Sequence, residues 1–241
     1  MRNGKSIDRR LVGLVDPASF EAEQYRRLRH RIEEFRAERG VKVIAVTSAV
    51  ASDGKTLTSV NLALTLARSK DSRVLLIDAD LRRPMVAKTL HLTCPRGGFG
   101  AALAGHATLS DGVVSVPRSS LAVLPAVTSE DAYELLSSGQ LSAVLNEARA
   151  AYDFVVVDTP PVIPVPDSAL MKRQVDGYLV VVSSGRTPRK LVGEALNLLE
   201  ASSVLGIVFN RDTRPLFGYY QNHYRQYFRD YVRAVGTPAT H

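Results

Sequence analysis

The sequence is nearly without cysteine: Cys94 stands alone among 241 residues. A single thiol allows no disulfide framework and no cysteine metal site, and it suits a reducing cytosol. Tryptophan is absent and phenylalanine is sparse, at seven. No apolar run approaches the roughly 18 residues of a membrane helix, so membrane association is expected only through a partner. The opening MRNGKSIDRR carries charge with no apolar stretch behind it, so no secretory signal is expected. Internal repeats and low-complexity blocks are missing. So are helix-turn-helix, zinc and aromatic-basic motifs, and no specific nucleic-acid partner is expected.

What is present begins with charge. The formal net charge is +7, which suits an acidic partner such as anionic lipid or a phosphate ligand. Much of the excess sits at residues 26–31, four arginines and a histidine. Such a run reads either as a solvated helix face or as a binding patch. The apolar fraction, 45%, is ample for one large α/β domain or two small ones.

Apolar runs recur at 43–47 (VIAVT), 74–77 (VLLI), 121–124 (LAVL), 154–157 (FVVV), 178–182 (YLVVV) and 205–209 (LGIVF). They are continuous rather than alternating, as in parallel strands covered on both faces. Between them, 56–69, 138–150 and 190–201 carry helical periodicity. This alternation predicts a doubly wound parallel sheet with helices on both faces. A charged helix over 19–39 and a tail after Arg211 flank the core, and Gly97-Gly98 and 160–166 predict loops.

The segment "TSAVASDGKTLTSVNLA" (47–63) ends like a phosphate-binding loop. Gly54 follows a strand and opens a helix, so backbone N–H groups and the positive helix end would face phosphates. Lys55 would reach the β- and γ-phosphates and the Thr56 hydroxyl would ligate Mg²⁺. The motif asks for glycine where Ala49 stands. Two further strands end in acids: "LLIDADLRRP" delivers Asp78 and Asp80, and "VVVDTPP" delivers Asp158. The carboxyl edge of a parallel sheet is where ligands bind in such folds. Each acid alone reads as readily as a cap or turn residue; together with Gly54-Lys55-Thr56 they read as one site.

With these motifs the sequence resembles the tyrosine autokinases of bacterial capsule and exopolysaccharide production, the BY-kinases. "SDGKT", "LLIDADLRRP" and "VVVDTPP" are similar to that family's Walker A, A′ and B motifs, in a P-loop NTPase-like fold. "FEAEQYRRLRHRI" is similar to the family's N-terminal helix, placing Glu23, Arg26 and Arg29 as oligomerisation residues. The resemblance implies three parts: an oligomerisation region at 1–40, a kinase core at 41–212 and a tyrosine-rich tail at 213–241. It also implies ATP and Mg²⁺, with Ser52, Asp53, Gly54, Lys55, Thr56, Leu57 and Asn210 around the nucleotide and Thr56, Asp80 and Asp158 around the metal. Lys55, Asp78 and Asp80 are the implied catalytic residues, Asp78 favoured as base and Asp80 as metal or substrate support. Asn210 resembles the reader of the adenine edge, and a turn residue is the other reading. Arg82 and Arg83 read either as phosphate or tail contacts or as surface ion pairs. The loop departs from the family's Pro-Gly-Glu-Gly-Lys: Ser52 replaces a glycine, and Leu57 stands where a second hydroxyl residue is common.

Five of the nine tyrosines, Tyr219, Tyr220, Tyr224, Tyr227 and Tyr231, fall in the tail. They are implied phosphoacceptors. Four also fit helical spacing, so a packing stripe is the competing reading. The implied partners are a membrane polysaccharide co-polymerase, further copies of the chain in a ring, and a cognate tyrosine phosphatase. The implied location is cytoplasmic, peripheral at the inner face of the membrane. Two alternatives remain. One is an ATPase switch of the plasmid-partition or division-site (MinD/ParA-like) type, which uses a second lysine early in the loop; none lies between Val43 and Gly54. The other is a catalytically weak scaffold.

Overall fold

Continuous Val, Ile and Leu runs cannot keep a wet face, and in the computed structural model they lie side by side as one buried sheet. The structure describes residues 8–212, apart from 17, 70 and 166. Along the chain come α1 (Val12–Val15), α2 (Phe20–Arg39), β1 (Val43–Ser48), α3 (Lys55–Leu66), β2 (Val74–Asp78), α4 (Val86–Leu90), α5 (Gly98–Leu103) and α6 (Leu109–Gly112). Then follow β3 (Val114–Ser115), β4 (Leu121–Leu124), α7 (Ala132–Ser137), α8 (Gln140–Ala151), β5 (Phe154–Asp158), α9 (Asp167–Leu170), β6 (Gly177–Ser183), α10 (Arg189–Leu199) and β7 (Val204–Asn210). The sheet order is β3-β4-β2-β5-β1-β6-β7. All neighbours are parallel except the short edge strand β3, which runs antiparallel to β4.

Alternate residues of each strand enter separate cores. Ile44, Val46, Leu76 and Val156 pack with Ile32 and Phe35 of α2 and Leu62 and Leu66 of α3. On the opposite face, Val43, Leu75, Val155 and Val157 meet Phe99 of α5 and Leu141 and Leu145 of α8, while Tyr178 and Val180 meet Ala195 and Leu199 of α10. Helices thus cover both faces, as expected.

The six expected strands are present, five of them longer by one or two residues. The helix expected from 19 begins after Ser19, whose hydroxyl accepts from Ala22 N at 3.1 Å as a cap. It ends at Gly40, whose φ of 71° suits a left-handed cap. The loop expected at Gly97-Gly98 is a correction: Gly98 opens α5, and a Cβ on it would meet Pro125 O at 1.9 Å. The glycine pair serves a close backbone approach there. The strand β3 and the short helices were not anticipated. Elements of two to six residues carry too little periodicity to read.

Candidate active site

Three parallel neighbours, β1, β5 and β2, end at one edge of the sheet, and their ends supply the charged cluster. The turn after β1 brings Ser52 to φ 69° and Gly54 to φ 97°, and α3 starts at Lys55. Asp78 and Asp158 are register partners on adjacent strands. The Lys55 ammonium donates to Asp80 Oδ2 at 2.7 Å and lies 4.0 Å from Asp158 Oδ2. So the structure brings Lys55, Asp78, Asp80 and Asp158, up to 103 positions apart in sequence, to one point.

The three acids are held differently. The strand stops at Asp78, so period-two alternation does not carry on to Asp80, and the two carboxylates diverge. Asp78 is fully buried; its Oδ2 accepts from Met85 N (3.0 Å) and Val86 N (2.9 Å), fixing the start of α4. Its Oδ1 accepts from Asp80 N at 3.3 Å. Asp80 takes the Lys55 ammonium on one oxygen and Arg83 N on the other, at 3.1 Å. Asp158 Oδ1 accepts from Ser59 Oγ at 3.0 Å, and the nearby Thr56 hydroxyl also favours the charged form of this carboxylate. Asp158 Oδ2 is buried with no hydrogen-bond partner in the structure.

Burial dominates the electrostatics. It drives the Asp78 carboxyl well above the ordinary value, with the Asp158 carboxylate adding to the rise. Burial also raises Asp158, against the Lys55 ammonium. At Lys55, burial pulls the pKa down, but Asp158 and Asp80 outweigh it and the ammonium is held above its usual range. The result is one deep cation among three carboxylates, poised to exchange partners.

The loop is clamped from the far side. Asp53 Oδ1 accepts from Thr187 Oγ1 at 2.7 Å, and Asp53 O accepts from Asn210 Nδ2 at 2.8 Å. Asn210 Oδ1 takes Arg211 N at 2.9 Å. In this structure Asn210 therefore steadies the loop backbone with the amide that was expected to read a base. A Cβ on Gly54 would meet Asn210 Nδ2 at 2.0 Å, so only glycine fits beside it. Next to this clamp opens a cavity of about 560 Å³, lined by Ser183, Arg186, Thr187, Arg189, Val192 and Phe209 among others. Phe209 is 62% exposed and the buried Ser183 Oγ has no hydrogen-bond partner.

Other expected residues land elsewhere. Arg82 is held in a two-pronged pair with buried Asp167, at 2.7 and 3.1 Å. The Leu57 side chain packs toward the α2–α3 core. Glu23 and Arg26 pair within their own helix at 2.6 Å, Arg29 pairs with Glu33 at 2.8 Å, and Arg29 also donates to Thr65 O at 3.3 Å. The five tail tyrosines lie outside the described residues. Ser59, Thr187 and Asp167 were not anticipated. Ser59 had a legible signal, sitting four residues after Lys55 and so on its helix face; the other two had none, since only tertiary folding brings them near. Among the described residues no group of three or more His, Cys, Asp or Glu is arranged to hold a metal unaided, and no helix is long and apolar enough to cross a membrane.

Comparison with known proteins agrees with this layout. Residues 41–186 match the family model of an AAA domain. Over 223 residues the chain is 34% identical to tyrosine-protein kinase YwqD of Bacillus subtilis (strain 168), covering 90% of this chain and 93% of that one. It is 35% identical over 212 residues to the succinoglycan biosynthesis transport protein ExoP of Rhizobium meliloti (strain 1021), which spans 86% of this chain but only 27% of that longer protein. The kinase domain of Escherichia coli tyrosine kinase ETK superposes with a TM-score of 0.77 at 30% identity, covering 87% of this chain and 84% of that one.

Proposed function

The chain belongs to the bacterial tyrosine-protein kinases, and from that premise we propose that it transfers the γ-phosphoryl of ATP to tyrosines of its own C-terminal tail and thereby regulates exopolysaccharide or capsule synthesis and export. The observation that carries this reading is the meeting of Lys55 with Asp78, Asp80 and Asp158 at the mouth of the phosphate loop.

The residues fit a magnesium nucleotide. Magnesium keeps several waters and takes one or two carboxylates together with substrate phosphates, so the lack of an all-protein cage is no obstacle. The orphaned Asp158 Oδ2, beside Thr56, is an acceptor in want of a cation or water. Thr56, Asp80 and Asp158 would hold Mg²⁺, which when bound neutralises charge on the phosphate oxygens. The N–H groups of residues 52–56 and the α3 N-terminus would cradle the phosphates. Lys55 would leave Asp80 for the β- and γ-phosphate oxygens, and Asp80 would become available. The cavity walled by Phe209, next to Asn210, suits the base end of the nucleotide.

In the transfer, the tyrosine oxygen bonds the γ-phosphorus as the bond to the bridging β–γ oxygen breaks, leaving ADP. Asp78 takes the phenol proton; burial has raised its proton affinity, and its Oδ1 carries only the long 3.3 Å bond from Asp80 N. Each phosphate adds about −1.5 to −2 charge to a basic tail, which would repel it from a phosphate-loaded site. The three-part division at 1–40, 41–212 and 213–241 belongs to this proposal, as do a ring built through Glu23, Arg26 and Arg29 and a dedicated phosphatase. So does attachment to the inner membrane face through a co-polymerase; the ExoP likeness supports a polysaccharide setting.

The test is incubation of purified protein with ATP and Mg²⁺, with and without the partner's cytoplasmic segment, followed by a phosphotyrosine blot. Signal that disappears in Lys55→Met and in a variant with the five tail tyrosines changed to Phe supports the kinase. ATP hydrolysis with no phosphotyrosine supports the switch, and absence of nucleotide binding supports the scaffold.

A further inference from the structure

Asp167 is the first residue of α9 and is fully buried, with no exposed surface. A carboxylate so placed needs a cation or several donors. Arg82 meets that need with both arms of its fork, Nε at 2.7 Å and Nη2 at 3.1 Å, a geometry that fixes direction as well as distance. The two residues come from different parts of the site. Arg82 lies two residues beyond Asp80, on the 79–85 loop that follows β2. Asp167 closes the segment that follows Asp158 and β5. That segment is itself anchored beneath the phosphate loop, Val162 N donating to Ser48 O at 2.9 Å and Ile163 N to Ala49 O at 3.4 Å.

We propose that Arg82 and Asp167 form a latch that positions Asp80 against Asp158, so that the Asp80 carboxylate keeps its place when Lys55 turns away from it toward phosphate. In the resting arrangement Lys55 holds Asp80 at 2.7 Å. Phosphate binding removes that tie. Ties that remain on the loop include Ala79 N to Asp158 O, Asp80 N to Asp78 Oδ1, Arg83 N to Asp80 Oδ1, Ser129 N to Leu81 O, and the fork. Ala79 N joins the start of the loop to Asp158 O at 2.8 Å; beyond Asp80, the fork is the side-chain tie from the loop to the segment that follows Asp158. Arg82 and Asp167 touch no reacting atom in this scheme; they act through the acid that does.

The latch is tested in Asp167→Asn, which leaves no buried charge, and in the double variant Arg82→Gln with Asp167→Asn. Two readouts are taken on the full chain: amide hydrogen exchange without nucleotide, and steady-state phosphorylation. Exchange at Arg83 and Met85 should quicken by about tenfold while Val162 is unchanged, a local opening and not a loss of fold. The turnover number should drop by about tenfold, with KM for ATP moving less than about threefold, and the double variant should be no worse than Asp167→Asn alone. Unchanged exchange at Arg83 and Met85, or a KM that rises as far as turnover falls, overturns the latch. The turnover arm rests on the kinase reading. A wild-type chain with no activity would sink that reading, and the exchange arm would still decide the latch.

Discussion

Replacing Lys55 with Met puts the electrostatic core of the site to the sharpest test. The ammonium is the cation on which two buried carboxylates converge, at 2.7 Å for Asp80 and 4.0 Å for Asp158. Its side chain is 10% exposed, so water cannot replace it. Removing one partner of a buried ion pair costs about 3–5 kcal/mol because the other charge is left uncompensated. For a chain of this size that is a fall in Tm of roughly 6–20 °C. The effect should depend on pH, and the sign follows from the direction of the shifts. Asp78 and Asp158 are already held above the ordinary 3.8 by burial. A carboxyl raised in the folded state binds its proton more tightly there than in the unfolded chain, so stability falls as pH rises through that window. Losing the ammonium raises both further and widens the window. Urea unfolding of nucleotide-free protein should show a larger deficit near about pH 8 than near about pH 5, because the raised carboxyls take up protons as pH falls. An equal deficit at both pH values, or none at either, refutes the description of Lys55 as the counter-ion of this cluster.

Other outcomes follow from the same geometry. Gly54→Ala must place a side chain at φ 97° and displace Asn210; that strain of about 1–2 kcal/mol should weaken nucleotide binding by calorimetry about tenfold or more. Ser59→Ala removes the 3.0 Å donor to Asp158 Oδ1, and phosphotyrosine formation should slow by about tenfold, read by a timed blot. Asp176 accepts from Lys42 N (2.7 Å), Val43 N (2.8 Å) and Arg149 Nη1, pinning the start of β1. Burial raises its carboxyl, but Arg149 and the two amides outweigh that and hold it below the ordinary value. Asp176→Ala should therefore cost about 2 kcal/mol at neutral pH. That contribution is complete above the ordinary carboxylate value and vanishes as pH falls through the lowered one, so wild type and variant should converge in acid unfolding.

The sheet was legible because buried parallel strands must be apolar throughout, and little else produces five consecutive residues such as VIAVT or FVVVD. The acids at 78 and 158 were legible for the converse reason: a charge at the end of such a run has no place in a core unless it faces a site. Local sequence is silent on how the carboxylates are held. That Asp78 would bind the amides of Met85 and Val86, while Asp80 turns to Lys55, depends on where β2 stops. That Asn210 would grip the loop carbonyl of Asp53 depends on β7 lying beside β6, 157 residues away from its partner. The paired arginines near Asp80 read equally well as anion contacts until the fold delivered Asp167 to one of them.

Parallel strands all point the same way, and this governs where the polypeptide leaves the fold. The last strand, β7, ends at Asn210, and Asn210 touches the phosphate loop. The segment bearing the tyrosines is therefore leashed at the rim where a phosphoryl group would sit. Tyr219 is seven residues beyond Asp212, a reach of about 23 Å when drawn out. Under the proposed function, a leash this short would keep the tyrosine rings at about millimolar local abundance however dilute the protein. A circular permutant whose termini open at the opposite edge would keep every side chain of the pocket and lose that supply.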